Sequence, residues 1–131
     1  MECPRVLLAD DLPEILETVT QLLRDDFEIV GYAHDGEEAI KAATTLNPDL
    51  LVLDIEMPFH NGIQVASNLR DSGCRAKVVF LTAHEDLDYV EAGWSVGALG
   101  YVLKSRIATD LLPALQEVLQ GRRFISSFQL T

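Results

Sequence analysis

Short, unbroken apolar runs punctuate this chain: Val6 to Ala9, Leu50 to Leu53 and Val78 to Leu81, with longer segments between them whose apolar residues recur at three and four positions. A strand without polar alternation has to be covered on both faces, and such strands alternating with helices build a parallel sheet between two helical layers. The pattern predicts an α/β three-layer sandwich of five strand and helix pairs. Strands are expected at Arg5 to Ala9, Glu28 to Ala33, Leu50 to Leu53, Lys77 to Leu81 and Gly100 to Leu103. Asp35-Gly36-Glu37-Glu38 has the form of a capping box opening the second helix, and Asp110 is expected to open the last, with Pro113 in its first turn. At 131 residues the chain has room for one such domain and not two.

Ten Lys and Arg stand against 21 Asp and Glu, a formal charge of −11, which repels phosphate backbones and anionic lipid over most of the surface. No direct nucleic-acid binding by this chain is expected. No apolar run approaches the ~20 residues that cross a bilayer, and Met1-Glu2-Cys3-Pro4 lacks a basic and hydrophobic signal region. A cytoplasmic protein without membrane contact is expected, with Cys3 and Cys74 as reduced thiols.

Four of the five strands run apolar and then release a chemically capable residue: Asp10-Asp11 after the first, Asp54 after the third, Thr82 after the fourth and Lys104 after the fifth. In a parallel sheet those ends share one edge, the edge where open α/β folds bind ligands. Three carboxylates gathered there repel one another unless a cation intervenes, and Mg²⁺, a hard ion that prefers oxygen ligands, fits the set. One Asp can then act as a nucleophile toward phosphorus, with Lys104 and the Thr82 hydroxyl suited to phosphoryl oxygens. Each residue also has a plainer reading. Asp11-Leu12-Pro13-Glu14 can be a capping box, Thr82 with Glu85 can cap a helix, and Lys104 can be a solvated lysine. Asp54, at the end of a fully apolar run, has no such account without a partner. His34, His60 and His84 are not spaced as metal ligands and are expected in loops or at strand ends.

VLLADD at Val6 to Asp11, LLVLDIEMPFHNG at Leu50 to Gly62, VVFLTAH at Val78 to His84 and GALGYVLKS at Gly97 to Ser105 together resemble the receiver domain of bacterial two-component response regulators. The resemblance runs from Val6 to Gly121. It implies the flavodoxin-like arrangement, a five-stranded parallel sheet of order 2-1-3-4-5 with five helices. It implies that Asp54 accepts a phosphoryl group from the phosphohistidine of a sensor histidine kinase. Asp10, Asp11, Asp54 and the Glu56 carbonyl would hold Mg²⁺, and Lys104 would pair with the phosphoryl group. Thr82 would swing toward the phosphoryl oxygens and Tyr101 would turn inward into the space vacated, a phosphorylation-dependent switch of the partner-binding surface. Lys104-Ser105, in place of lysine and proline, and the segment DLLPALQEVLQGRRFIS resemble the LuxR-type class, which joins a receiver to a helix-turn-helix DNA-binding domain.

The domain is therefore expected over residues 1–121, with 122–131 as the start of a linker toward an absent output domain that would supply DNA binding and transcription regulation. A stand-alone receiver acting through protein partners is the alternative, and a homodimer through the first and fifth helices is allowed by the broad apolar last helix. A haloacid-dehalogenase-like phosphatase needs Asp two residues after its nucleophile and an acidic pair after its lysine; Glu56 and the early Asp10-Asp11 have the wrong identity and order. A flavin module would need a hydroxyl-rich phosphate cradle where Asp10 to Pro13 is acidic. Glu56 and His84, two residues beyond Asp54 and Thr82, are expected to flank the approach of water to the phosphoryl group.

Overall fold

A computed structural model of the chain describes residues 3–126. Met1 and Glu2, and the tail from Ser127 to Thr131, lie outside the described residues. The chain alternates β1 (Arg5–Ala9), α1 (Pro13–Leu23), β2 (Glu28–Ala33), α2 (Gly36–Leu46), β3 (Leu50–Asp54), α3 (Gly62–Asp71), β4 (Lys77–Thr82), α4 (Leu87–Ser95), β5 (Gly100–Leu103), α5 (Leu112–Leu119) and β6 (Phe124–Ile125). The strands form one parallel sheet of order β2-β1-β3-β4-β5-β6. The continuous apolar runs are buried on both faces, as their lack of alternation requires. Leu7, Leu51, Leu53 and Phe80 pack under α2, α3 and α4 through Ala39, Ala43, Val65, Leu69 and Val90. Val6, Leu8, Val52, Val79 and Val102 face the other way, against Leu16, Val19 and Leu23 of α1 and Leu111, Leu115 and Val118 at α5.

The expected five strands fall one short. Phe124–Ile125 adds a sixth, pairing Gly100 with Phe124 and Tyr101 with Ile125. Two residues are too few to carry a period, so no pattern could announce them. Residues assigned to the tail thus reach back onto the sheet as far as Ser126, which is 2% exposed.

The entry into the last helix also differs from expectation. It starts at Lys104–Arg106 as a 3₁₀ turn and widens to a π-turn at Ile107–Leu111 before becoming regular. Pro113 has no N–H to give to the carbonyl four residues back, and the widened turn lies directly before it. Asp110 does not cap. Its carboxylate accepts from Arg106 Nε at 2.8 Å, Thr109 Oγ1 at 3.1 Å and Ser126 Oγ at 2.7 Å. The Asp35 box is half formed: Asp35 Oδ1 accepts from Glu38 N at 2.8 Å, but the Glu38 carboxylate takes the His34 N–H instead of returning to Asp35. A complete box stands at Asn61 and Gln64.

Candidate functional site

Parallel pairing decides what meets at the carboxyl edge. Asp54 ends β3 beside Leu81, Thr82 ends β4 beside Leu103, and Lys104 follows β5 directly. Asp10 and Asp11 follow β1, and the Asp10 N–H donates to the Ala33 carbonyl of β2 at 3.0 Å. Asp10, Asp54 and Thr82 are at most 1% exposed, whereas Asp11 is open to solvent. The register therefore brings all four strand ends into one cleft, open on the Asp11 side. Gly62 closes its floor: a Cβ there would lie 2.5 Å from the Asp54 carbonyl, and its N–H donates to Ile55 O at 2.7 Å.

Each carboxylate has one satisfied oxygen and one aimed inward. Asp10 Oδ1 accepts from Leu12 N at 2.9 Å and Asp54 Oδ1 from Glu56 N at 3.1 Å. The two Oδ2 atoms, both buried, lie 3.0 and 3.1 Å from the Lys104 ammonium, which among the described residues is the one cation that faces them. Carboxylate oxygens of Asp10, Asp11 and Asp54 all fall within 4.8 Å of one another. Three carboxylates gathered at that spacing against a single ammonium are a donor set for a hard divalent cation, and the all-oxygen group fits Mg²⁺ by its chemistry.

Burial, and after it the Asp10 carboxylate, push the Asp54 carboxyl up to about 6, against the Glu56 N–H and Lys104, which favour its charged form. Burial works against the Lys104 charge too, but its contacts with Asp10 and Asp54 prevail and hold its pKa above the usual lysine range. One ammonium thus faces two buried acids.

The plainer readings fare unevenly. Asp11 does not cap α1: the helix starts after Leu12 with no side-chain cap, and the Leu12 N–H goes to Asp10. Thr82 does not cap α4, whose cap is Asp86 accepting from Asp88 N. The Thr82 hydroxyl instead accepts from His84 N at 3.1 Å. Lys104 is not a solvated lysine; its side chain is 15% exposed. Glu56 Oε1 and His84 Nε2 meet at 2.9 Å, joining the β3–α3 and β4–α4 loops over the cleft. Tyr101 already occupies the inward position, 1% exposed, with its hydroxyl donating to His84 O at 3.2 Å. Burial pushes that phenol up to about 12, against the Thr82 hydroxyl that bonds to it.

Sequence reasoning missed two features near the site. Ser126 Oγ accepts from Leu103 N at 3.1 Å, one residue from Lys104, while donating to Asp110. Phe59, at φ +72° and 79% exposed, tops the loop after β3. Neither has a motif: a lone Ser near the end of a chain and a Phe before His60-Asn61-Gly62 carry no spacing signal. A cleft of about 740 Å³ lies at the opposite edge of the sheet, and two of its cations, Arg5 and Lys77, serve helix ends. Arg5 Nη1 donates to Leu46 O and Asn47 O, and Lys77 Nζ to Leu119 O.

Comparison with known proteins agrees with this architecture. The family model described as the response regulator receiver domain matches residues 6–116. The transcriptional regulatory protein YvfU of Bacillus subtilis (strain 168) is 37% identical over 124 residues, 93% of this chain and 62% of that protein. The nitrate/nitrite response regulator protein NarL of Escherichia coli (strain K12) is 35% identical over 123 residues, 92% of this chain and 57% of its own length. The chain thus spans about three fifths of these relatives. Among solved structures, a two-component response regulator of the LuxR family from Aurantimonas sp. SI85-9A1 superposes with a TM-score of 0.89 at 30% identity, covering 95% of this chain and 91% of that one. A chain of the CheX-CheY-BeF3-Mg+2 complex from Borrelia burgdorferi superposes with a TM-score of 0.77 at 30% identity, covering 89% of this chain and 87% of that one. Since the family match takes in β1 to β5 together with their acidic edge, this chain belongs to the response regulator receiver domains of two-component signalling.

Proposed function

We propose that Asp54 is the phosphoacceptor of this receiver and that a sensor histidine kinase is its donor. The observation that carries the reading is the pair of buried, inward Oδ2 atoms of Asp10 and Asp54 facing Lys104. An Asp54 oxygen attacks the phosphorus of a phosphohistidine; the new P–O bond replaces the P–N bond, and the leaving imidazole regains its proton from solvent. Lys104 sits where it can pair with the incoming phosphoryl oxygens, and its release from Asp54 supplies a charge already desolvated and oriented. Asp10, Asp11, Asp54 and the Glu56 carbonyl would hold Mg²⁺, which offsets the carboxylate charge and that of the arriving phosphoryl group. The similar structure from Borrelia burgdorferi, a complex with BeF3 and Mg+2, supports that choice of ion.

Thr82 and Tyr101 are the switch residues in this reading. The Thr82 hydroxyl, held by His84 N and Tyr101, can exchange those partners for a phosphoryl oxygen, with the Tyr101 ring already in the inward position beside it. The phosphoryl group thereby favours one arrangement of the β4–α4 and β5 surface by contacts available only there. The Glu56–His84 pair lies across the approach of water and sets the lifetime of the acyl phosphate.

The protein acts as a phosphoacceptor in the cytoplasm and not as a turnover enzyme. Relatives named as transcriptional regulatory proteins support an output in transcription through a DNA-binding domain outside these 131 residues, with 1–121 as the receiver and 122–131, whose residues up to Ser126 still lie on the sheet, as the beginning of the connection. A homodimer through α1 and α5 is compatible with it. Acetyl phosphate with Mg²⁺ is expected to label the chain once per molecule and then stop. Sustained release of phosphate from p-nitrophenyl phosphate would assign it to the phosphatases instead.

A further inference from the structure

Five polar side chains are buried among the described residues: Asp10, Asp54 and Thr82, which build the cleft, and Asp110 and Ser126, which the chemistry above does not use. A buried carboxylate and a buried hydroxyl need partners, and theirs are drawn from the two sides of a single residue. Strand β6 lies on β5 through the Phe124 N–H on Leu99 O and the Ser126 N–H on Tyr101 O, both at 2.9 Å. At the next rung a parallel ladder would give the Leu103 N–H to the Ser126 carbonyl. It goes to Ser126 Oγ instead, at 3.1 Å. The hydroxyl then donates its own proton to Asp110 Oδ2 at 2.7 Å, and that oxygen also accepts from Arg106 Nε at 2.8 Å.

Leu103 and Arg106 stand one residue before and two residues after Lys104. Ser126 and Asp110 therefore take hold of the chain on both sides of the lysine without using its side chain. A lysine is a point charge on a flexible four-carbon stem, so where its ammonium rests depends on how firmly its backbone is fixed. Here the stem has to bring the ammonium to 3.0 Å from Asp10 and 3.1 Å from Asp54 at once. The turn that carries it is 3₁₀ and then π, short and irregular, and regular helical bonding does not fix it. We propose that Ser126 is a positioning residue for Lys104: together with Asp110 it clamps the backbone on either side of the lysine and so sets the ammonium over Asp54. The proposal rests on the reading of Lys104 as the group that pairs with the phosphoryl oxygens. It goes further by making the chain as far as Ser126 a working part of the receiver, and not only the beginning of a connection.

A double-mutant cycle on labelling by acetyl phosphate with Mg²⁺ tests this, with rates taken for wild type, Ser126→Ala, Lys104→Met and the double variant, each checked to be folded. Ser126→Ala removes the acceptor for Leu103 and a donor to Asp110 together. It is expected to lower the second-order labelling rate by roughly fivefold or more, within the ~100-fold that a misplacement of about 1 Å can cost. Lys104→Met keeps Asp54 and a residual rate, and on that background the serine substitution is expected to change the rate by less than about twofold, because the group it positions is gone. Losses that multiply in the double variant overturn the proposal, since Ser126 would then act independently of Lys104; so does a Ser126→Ala rate equal to wild type. Arg106→Gln opens the same clamp from its exposed side. It should slow labelling in the same sense and with the same dependence on Lys104, and it decides the matter if Ser126→Ala does not fold. Arg123→Gln is the control, because the Arg123 guanidinium lies 4.7 Å from the centre of the Trp94 ring and holds the same segment by a different contact. Its labelling is expected within about twofold of wild type, and a loss equal to that of Ser126→Ala would assign the effect to docking of the whole segment and overturn the role of the hydroxyl. Failure of the underlying reading looks different: Lys104→Met alone would then be labelled at the wild-type rate.

Discussion

Asp54 is held in a state that costs the fold something. Its carboxyl, raised from 3.8 to about 6, keeps a proton in the folded chain that the unfolded chain has already lost between those two values. Raising the pH through that window therefore weakens the metal-free protein, with the penalty absent below the lower value and complete above the upper. Asp54→Asn removes the ionisation. In the presence of a chelator the variant should match wild type near about pH 4 and exceed it by on the order of 1 kcal/mol near about pH 7, after allowance for solvent screening. Urea unfolding across that range measures the difference, and a gap that does not change with pH would contradict the assigned cause. The sequence made Asp54 legible because an acid ending a fully apolar strand has no plain structural use. It made Phe59 illegible, because the positive φ comes from α2 pressing on the loop through Gly36, a contact between residues far apart in sequence.

Among the elements, the stretch from Lys104 to Ser126 departs furthest from regularity, and it connects the cleft to the end of the described chain. A 3₁₀ turn, a π-turn and a two-residue strand are tied together by Ser126 Oγ, which accepts from Leu103 N at 3.1 Å and donates to Asp110 at 2.7 Å. The Asp110 carboxyl is buried against its charge, yet Arg106, Ser126 and Thr109 outweigh burial and hold its pKa below the ordinary value. Ser126→Ala leaves the Leu103 N–H without a partner in a buried place and takes one donor from Asp110. It should cost about 1–3 kcal/mol in unfolding free energy, far more than a serine near a chain end normally would. A loss below about 0.5 kcal/mol in chemical denaturation would show that β6 adds nothing to the fold. The five longer strands and the order of helices were readable from period alone, down to bounds within a residue or so. The last helix was not, because Asp110 carries the sequence signature of a cap while its carboxylate serves a tertiary cluster.

At the scale of the molecule, a chain of net charge −11 concentrates three of its acids at one edge of the sheet and buries two of them. Layered packing on both faces fixes the strand register, and the register sets the spacing of Asp10, Asp54, Thr82 and Lys104. No helix among the described residues is long and apolar enough to cross a membrane. The site exists because distant segments end together, which is why no single motif could define it while their ordered set could. Phosphorylation by acetyl phosphate, with the label located by peptide mass spectrometry with and without Mg²⁺, tests this most directly. One phosphoryl group on Asp54, dependent on Mg²⁺ and missing from Asp54→Asn, is the predicted result. A label on any other residue, or one that persists undiminished in Asp54→Asn, would contradict it.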